Sequence, residues 1–216
     1  MEGEQRQALI EGAWAWLDAH MGQSAAHDRG HVQRVVANAR AVGAVEGGDG
    51  LVIELAAILH DNVDLPKDDP RRKEASTLGA RRAMEWLDGR LSAARVELVG
   101  EAIRCHSYSA GIEAQSLEAQ VVSDADNLDA LGAIGIARAY EVGGSLGRRT
   151  LDVGDPLCRR REPDDQRFST DHFFVKLLGL KARFYTDEGK RLAQERVDYM
   201  RDFLGQLERE VTHQEP

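Results

Sequence analysis

Cysteine is scarce in this chain: Cys105 and Cys158 are the two among 216 residues. That is too few for a disulfide-stapled scaffold and suits a reducing compartment, the cytoplasm. No apolar run reaches about 18 residues, so no membrane-spanning helix is expected. The opening MEGEQRQALIEGAWAW has acids where a signal peptide carries a basic stretch. Positive charge is short as well. Lys and Arg number 28 against 37 Asp and Glu, for a formal net charge of −9, which disfavours sequence-independent binding to nucleic acid. What is present is ordinary for a folded chain, with 42% hydrophobic and 30% charged residues. The length allows one domain or a small pair, with a sizeable core.

Helical periodicity dominates, and strand-like alternation is hard to find. Ala8, Leu9, Ala13, Trp16 and Leu17 suit a first amphipathic helix, with Gly22 and Ser24 in the loop after it. His31 opens a second, whose Val32, Val35, Val36, Ala39 and Val42 recur at three- and four-residue steps, and Glu46-Gly47-Gly48-Asp49-Gly50 stops it. LVIELAAILH, residues 51–60, is almost continuously apolar and short enough for a buried helix. A polar loop punctuated by Pro66 and Pro70 follows. Periodicity resumes over 75–87, 93–106 and 121–140, with Leu128, Leu131 and Ile134 expected in the core. Residues 143–168 are glycine-rich and crowded with Arg148, Arg149, Arg159, Arg160 and Arg161, and read as a long irregular loop with room for a strand pair. Its arginines alternate with Asp152, Asp155, Glu162, Asp164 and Asp165, so the segment nearly neutralises itself. Two further helices carry Phe173, Phe174 and Phe184, and then Val197, Met200, Phe203 and Leu204. Trp14, Trp16 and Trp86 suit the core or an interface. The expectation is one compact all-α domain over 1–216, a multi-helix bundle. Its metal-site core would span about 27–140, with C-terminal helices of about 170–211 packed on it.

His-Asp dipeptides occur twice, at His27-Asp28 and His60-Asp61, where composition alone gives about 0.6, so the dipeptide by itself proves nothing. Context separates them. The first lies in a polar loop; the second ends the most apolar helix, where a carboxylate and an imidazole are costly unless paired or bound to a metal. His31 lies one helix earlier, and Asp124-Ala125-Asp126 opens a later one. Mixed imidazole and carboxylate donors suit Mn²⁺, Fe²⁺, Ni²⁺, Zn²⁺ or Mg²⁺.

His31 in GHVQRV, then LAAILHDNVD, then VVSDADNLDALGAIGIARAY resembles the HD-domain superfamily of metal-dependent phosphohydrolases, whose motif is H…HD…D. CHSYS around His106, GGSLGR, and STDHFFVKLLGLKARFYTDEGKRLAQER resemble its small bacterial YedJ/YpgQ-type branch. The likeness runs from about His27 to Phe203. It implies a divalent cation held by His31, His60, Asp61 and one aspartate of the Asp124/Asp126 pair. Asp126 is the better match, because the family carries an alanine-aspartate pair followed by leucine two residues on. Asp124 stays open, since one sequence does not fix the helix phase. The resemblance further implies hydrolysis of a phosphate ester or anhydride, with His60 and Asp61 at the reaction centre. Asp64, three residues after the HD aspartate, would orient the attacking water. Lys67, His106 and Arg148 would offset charge on the phosphate. A small phosphorylated substrate is implied, a nucleotide, with nucleoside or deoxynucleoside triphosphates ahead of monophosphates, and no nucleic-acid or membrane partner.

Each residue has a plainer reading beside this one. His31 and His106 could serve packing, and one aspartate of the 124/126 pair could be an ordinary first-turn acid favoured by the helix dipole. Asp129 would face solvent or bond locally, Lys67 would be solvated, and His172 would cap or pack. Two functional rivals also stand: a di-iron oxygenase, which needs more histidines than the chain supplies, and a metal-binding sensor without turnover, which has no need of Asp64. A homodimer is compatible with the sequence, but no residue pattern decides it.

Overall fold

The computed structural model describes residues 3–21, 28–63, 65, 69, 71–107 and 111–212. Asp64, Lys67, Gly22, Ser24 and His27 lie outside them. Among the described residues the regular elements are helices, with no extended strand, as the periodicity predicts. The chain divides into two compact units: Met1–Asp126 with Tyr185–Gly189, and Asn127–Phe184 with Lys190–Pro216.

The first unit contains α1 (Gly3–His20), α2 (Arg29–Glu46), α3 (Gly50–Leu59), a 3-10 turn (Arg72–Glu74), α4 (Ala75–Leu87), α5 (Ala93–His106) and most of α6 (Leu117–Asp129). Helix α3 is its centre, packed against α1, α2 and α5. From Leu51 to Leu59 every residue is buried, which is why the run shows no polar face. Burial of each large aliphatic here, Leu55, Ile58 and Leu59 among them, contributes about 1.5–3 kcal/mol. Glu54 is the exception in chemistry but not in burial, at 3% exposure. Arg6 Nη2 at 3.1 Å and Arg40 hold its two carboxylate oxygens, so the charge enters the core paired.

The starts of α2 and α3 are both set by local chemistry. Asp28 caps α2 by accepting the His31 backbone N–H at 2.8 Å, and Asp49 caps α3 by accepting from Leu51 and Val52. In the connection from α2 to α3, Gly47 and Gly48 adopt φ of 91° and 90°, a region a side chain disfavours. The apolar stripe of α2 is buried at Val32, Val35, Val36, Ala39 and Val42. On α5, Val96, Val99, Ile103 and His106 are buried on one face, both as the spacing predicts. On α1 the buried positions are Ile10, Ala13 and Leu17; Ala8 is exposed and Leu9 half-buried.

The second unit contains α7 (Gly132–Ser145), α8 (Asp171–Val175), a 3-10 turn (Leu177–Arg183) and α9 (Asp187–Thr212) from Lys190 onward. The single helix expected over 121–140 is two. Leu131 turns extended (φ −118°, ψ 164°) and Gly132 takes φ +70°, which breaks the apolar run and leaves Ile134 40% exposed rather than in the core. Asp129 does not face solvent: it is buried and paired with Arg138 at 2.7 Å. Phe173 and Phe184 are core residues, whereas Phe174 and Phe203 are half-buried.

The arginine-rich segment begins after Ser145 and is irregular. In place of a strand pair it has one parallel bridge, Arg149 to Phe168. Buried Asp171 organises it. Arg161 Nη2 at 2.8 Å and Nη1 both donate to that carboxylate, and the Asp164 N–H adds a bond of 2.6 Å. Burial opposes the charge, but these donors and the Cys158 thiol hold the Asp171 carboxyl below its ordinary pKa. Burial, with Asp171 beside it, pushes the Cys158 thiol up to about 12, so it is a hydrogen-bond donor and not a nucleophile.

Candidate metal centre

Four elements of the first unit bring their ends together. His31 stands in the first turn of α2, fixed there by the Asp28 cap. His60 and Asp61 follow the last residue of α3, His106 is the last residue of α5, and Asp126 lies on α6. The histidines are nearly sealed from solvent, at 2%, 2% and 8% exposure. The Asp61 and Asp126 side chains are partly open.

The Nε2 atoms of His31 and His60 lie 3.2 Å apart. Asp61 Oδ2 is 3.5 Å from each of them, and Asp126 Oδ1 is 3.4 Å from His31 and 3.9 Å from His60. On its other side, Asp61 Oδ1 is 3.5 Å from His106 Nε2. The His60 and His106 rings meet edge to face, with centroids 4.9 Å apart.

Tautomers follow from the acceptors. His60 Nδ1 is 2.8 Å from the Ala57 carbonyl and His106 Nδ1 is 2.7 Å from the Ile103 carbonyl. A carbonyl only accepts, so each Nδ1 carries a proton and each ring turns its Nε2 toward the cluster. The cluster therefore gathers Nε2 atoms and carboxylate oxygens, both donor types for a divalent cation. Donors about 2.1 Å from a shared ion stand about 3.0 Å apart at a right angle and about 3.4 Å apart at the tetrahedral angle, close to the separations seen. Among the described residues, the groups able to share an ion are His31, His60 and Asp126, and His60, Asp61 and His106.

Asp124 takes no part in this convergence. Its carboxylate is fully buried and accepts from the Tyr185 and Thr186 backbone N–H groups, both at 2.9 Å, and from Thr186 Oγ1 at 2.7 Å. Arg148 belongs to the second unit, where its N–H donates to the Gly143 carbonyl at 2.9 Å. His172 pairs with Asp165 at 2.8 Å.

Three supporting residues escaped the sequence reading. Buried Asn62 donates to the Leu59 carbonyl at 2.7 Å and the Gly79 carbonyl at 2.9 Å, tying the HD end of α3 to α4. Asn38 donates to the Ala125 carbonyl at 3.1 Å. It lies seven residues after His31, two turns on along the same face of α2, and that spacing was a readable signal. The third is Thr186, whose partner is 62 positions away in sequence, and nothing local marks it.

The HD domain profile matches residues 29–131. YpgQ, an uncharacterised protein of Bacillus subtilis, is 33% identical over 190 residues, covering 88% of this chain and 86% of that protein. The chain belongs to the HD-domain hydrolase family. Its fold is similar to that of an HD-superfamily hydrolase from Bacillus thuringiensis, with a TM-score of 0.76 and 33% identity over 97% of this chain and 100% of that one. It is also similar to B. subtilis YpgQ in complex with ADP, with a TM-score of 0.75 and 30% identity over 95% and 96% of the two chains. An HD hydrolase of this branch is a metal-dependent phosphohydrolase, and the divalent cation that the family implies fits the donor set on α2, α3 and α6. No helix among the described residues is long and apolar enough to cross a membrane.

Proposed function

We propose that this HD hydrolase cleaves nucleotides, taking nucleoside or deoxynucleoside triphosphates and releasing pyrophosphate. One observation carries the reading: two imidazole nitrogens and two carboxylate oxygens, from His31, His60, Asp61 and Asp126, converge at 3.2–3.9 Å. His31, His60, Asp61 and Asp126 would hold a cation, drawn from Mn²⁺, Fe²⁺, Ni²⁺, Zn²⁺ and Mg²⁺ by their donor chemistry. Such an ion supplies Lewis acidity, bringing the pKa of water from 15.7 towards about 7 and drawing charge from phosphoryl oxygens. The ADP bound to YpgQ supports a nucleotide as substrate. The two free thiols, Cys105 and Cys158, suit work in the cytoplasm.

The chain's own residues divide the remaining tasks. The Ala57 carbonyl holds His60 in the tautomer whose Nε2 faces the cluster, and Asp61 faces His31 and His60 with one oxygen and His106 with the other. Asp64 would orient and deprotonate the attacking water. Lys67 and His106 would bind phosphate oxygens and offset the charge that grows as the bond breaks.

The test is a panel of nucleoside mono-, di- and triphosphates given to chelator-stripped protein with each divalent ion restored in turn. Pyrophosphate release from triphosphates is expected. Phosphate release from monophosphates would make the chain a nucleotidase instead. No release despite stoichiometric cation binding would sink the nucleotide reading.

A further inference from the structure

Two aspartates stand two residues apart on α6, and their side chains leave the helix about 200° apart. Asp126 faces His31. Asp124 faces the turn at 185–189, where it takes three hydrogen bonds. We propose that Asp124 is a positioning residue for the cation site: together with Thr186 it fixes the rotation and depth of α6 that bring the Asp126 carboxylate to the histidines. The inference rests on the reading of His31, His60, Asp61 and Asp126 as cation ligands.

Three features make this contact a locating device. It is dry and saturated: Asp124 is 0% and Thr186 5% exposed, and both carboxylate oxygens are bonded. It is also continuous with helix capping. Thr186 Oγ1 donates to Asp124 and accepts from the Gly189 N–H at 3.0 Å, so one hydroxyl caps the first turn of α9 and grips α6. The Glu188 N–H of that turn bonds the Glu46 carboxylate at 2.6 Å, tying the turn to the last residue of α2. Finally, the fit is close. A methyl group on Gly189 would stand 2.7 Å from Thr186 Oγ1 and 2.9 Å from Asp124 Cγ, nearer than side-chain carbons approach.

From α2, Asn38 bonds the Ala125 carbonyl. α6 is therefore held at two successive residues, from α2 through Ala125 and from the α9 turn through Asp124. Asp126 comes next, and a small rotation of α6 would swing its carboxylate away from His31. In metal sites, a group that orients a ligand is worth about 10- to 100-fold in affinity.

The test uses Co²⁺ as probe on the chelator-stripped full chain, read by its visible d–d absorption and by equilibrium titration, with folding followed by circular dichroism. Asp124→Asn puts an NH₂ group against backbone N–H donors. Thr186→Val removes only the hydroxyl, and Thr186→Ser keeps it. Asp124→Asn and Thr186→Val are expected to bind Co²⁺ at least about ten-fold more weakly with a changed d–d band, and Thr186→Ser to keep the wild-type band and affinity. If Asp124→Asn does not fold, the valine and serine pair decides. Folded variants that melt earlier yet keep wild-type affinity and spectrum would overturn the inference and leave the ligand assignment standing. A wild-type chain with no Co²⁺ band would overturn the ligand assignment, and this inference with it.

Discussion

The Nε2 atoms of His31 and His60 face each other across 3.2 Å, and His60 has its proton committed to the Ala57 carbonyl on the far side of the ring. A cation shared by this pair would bind the folded state and not the unfolded chain. A ligand bound to the folded state alone stabilises it by about 2.7 kcal/mol at a hundred times its Kd. For a chain of this size that is a rise of about 5–11 °C in melting temperature. Calorimetry of chelated protein with and without Mn²⁺ should show it, and His60→Ala should abolish it. An unchanged melting temperature in wild type at saturating Mn²⁺ would count against the site.

Asp64 separates catalysis from binding. It stands three residues beyond Asp61 and has no place in the proposed ligand set. Asp64→Ala is expected to lower kcat by about 10²–10⁴-fold, the usual worth of a positioned general base, while the Mn²⁺ titration stays close to wild type. A variant that loses the cation would make Asp64 a ligand and require the roles to be reassigned.

The sequence made much of this fold legible where one periodic face meets one neighbour. Val32 to Val42 on α2 and Val96 to His106 on α5 are buried as their spacing predicts, and the apolar run of α3 reads directly as a helix buried on all sides. Legibility failed where backbone geometry overrides an apolar pattern, as at Leu131 and Gly132, whose conformations end one helix and start another. It failed again where a decision depends on distant residues. Asp124 and Asp126 are chemically identical and two apart, and only the Thr186 turn, 62 residues from Asp124, assigns one to a buried anchor and turns the other toward His31.

Packing in the second unit gives a prediction independent of any cation. A methyl group on Gly143 of α7 would meet the Ser169 side chain, with the serine Cβ only 2.8 Å away, and Ser169 is buried. Alanine favours a helix over glycine by about 1 kcal/mol, but overpacking a filled site typically costs about 1–3 kcal/mol. Gly143→Ala should therefore be neutral to destabilising in urea unfolding, by up to about 2 kcal/mol. A clear gain in stability would mean that Ser169 yields freely and that α7 is less tightly packed than its geometry implies.

Asp171 should give the long loop a sensitivity to acid. Burial works against its charge, yet Arg161, the Asp164 N–H and the Cys158 thiol hold its pKa below the ordinary 3.8. A carboxylate with a depressed folded-state pKa contributes stability that is fully present above its unfolded pKa, near 4, and is lost as pH falls through the folded value. Asp171→Asn removes the charge and leaves the Arg161 guanidinium beside a neutral amide, at a cost of about 3–5 kcal/mol for breaking a buried pair. Unfolding measured from pH 7 to pH 2.5 should show wild type losing this advantage below about pH 4, with the gap between wild type and variant narrowing there. A gap that stays constant across that range would mean that Asp171 acts through shape and neutral hydrogen bonds, and that its ionisation contributes nothing to the order of the loop.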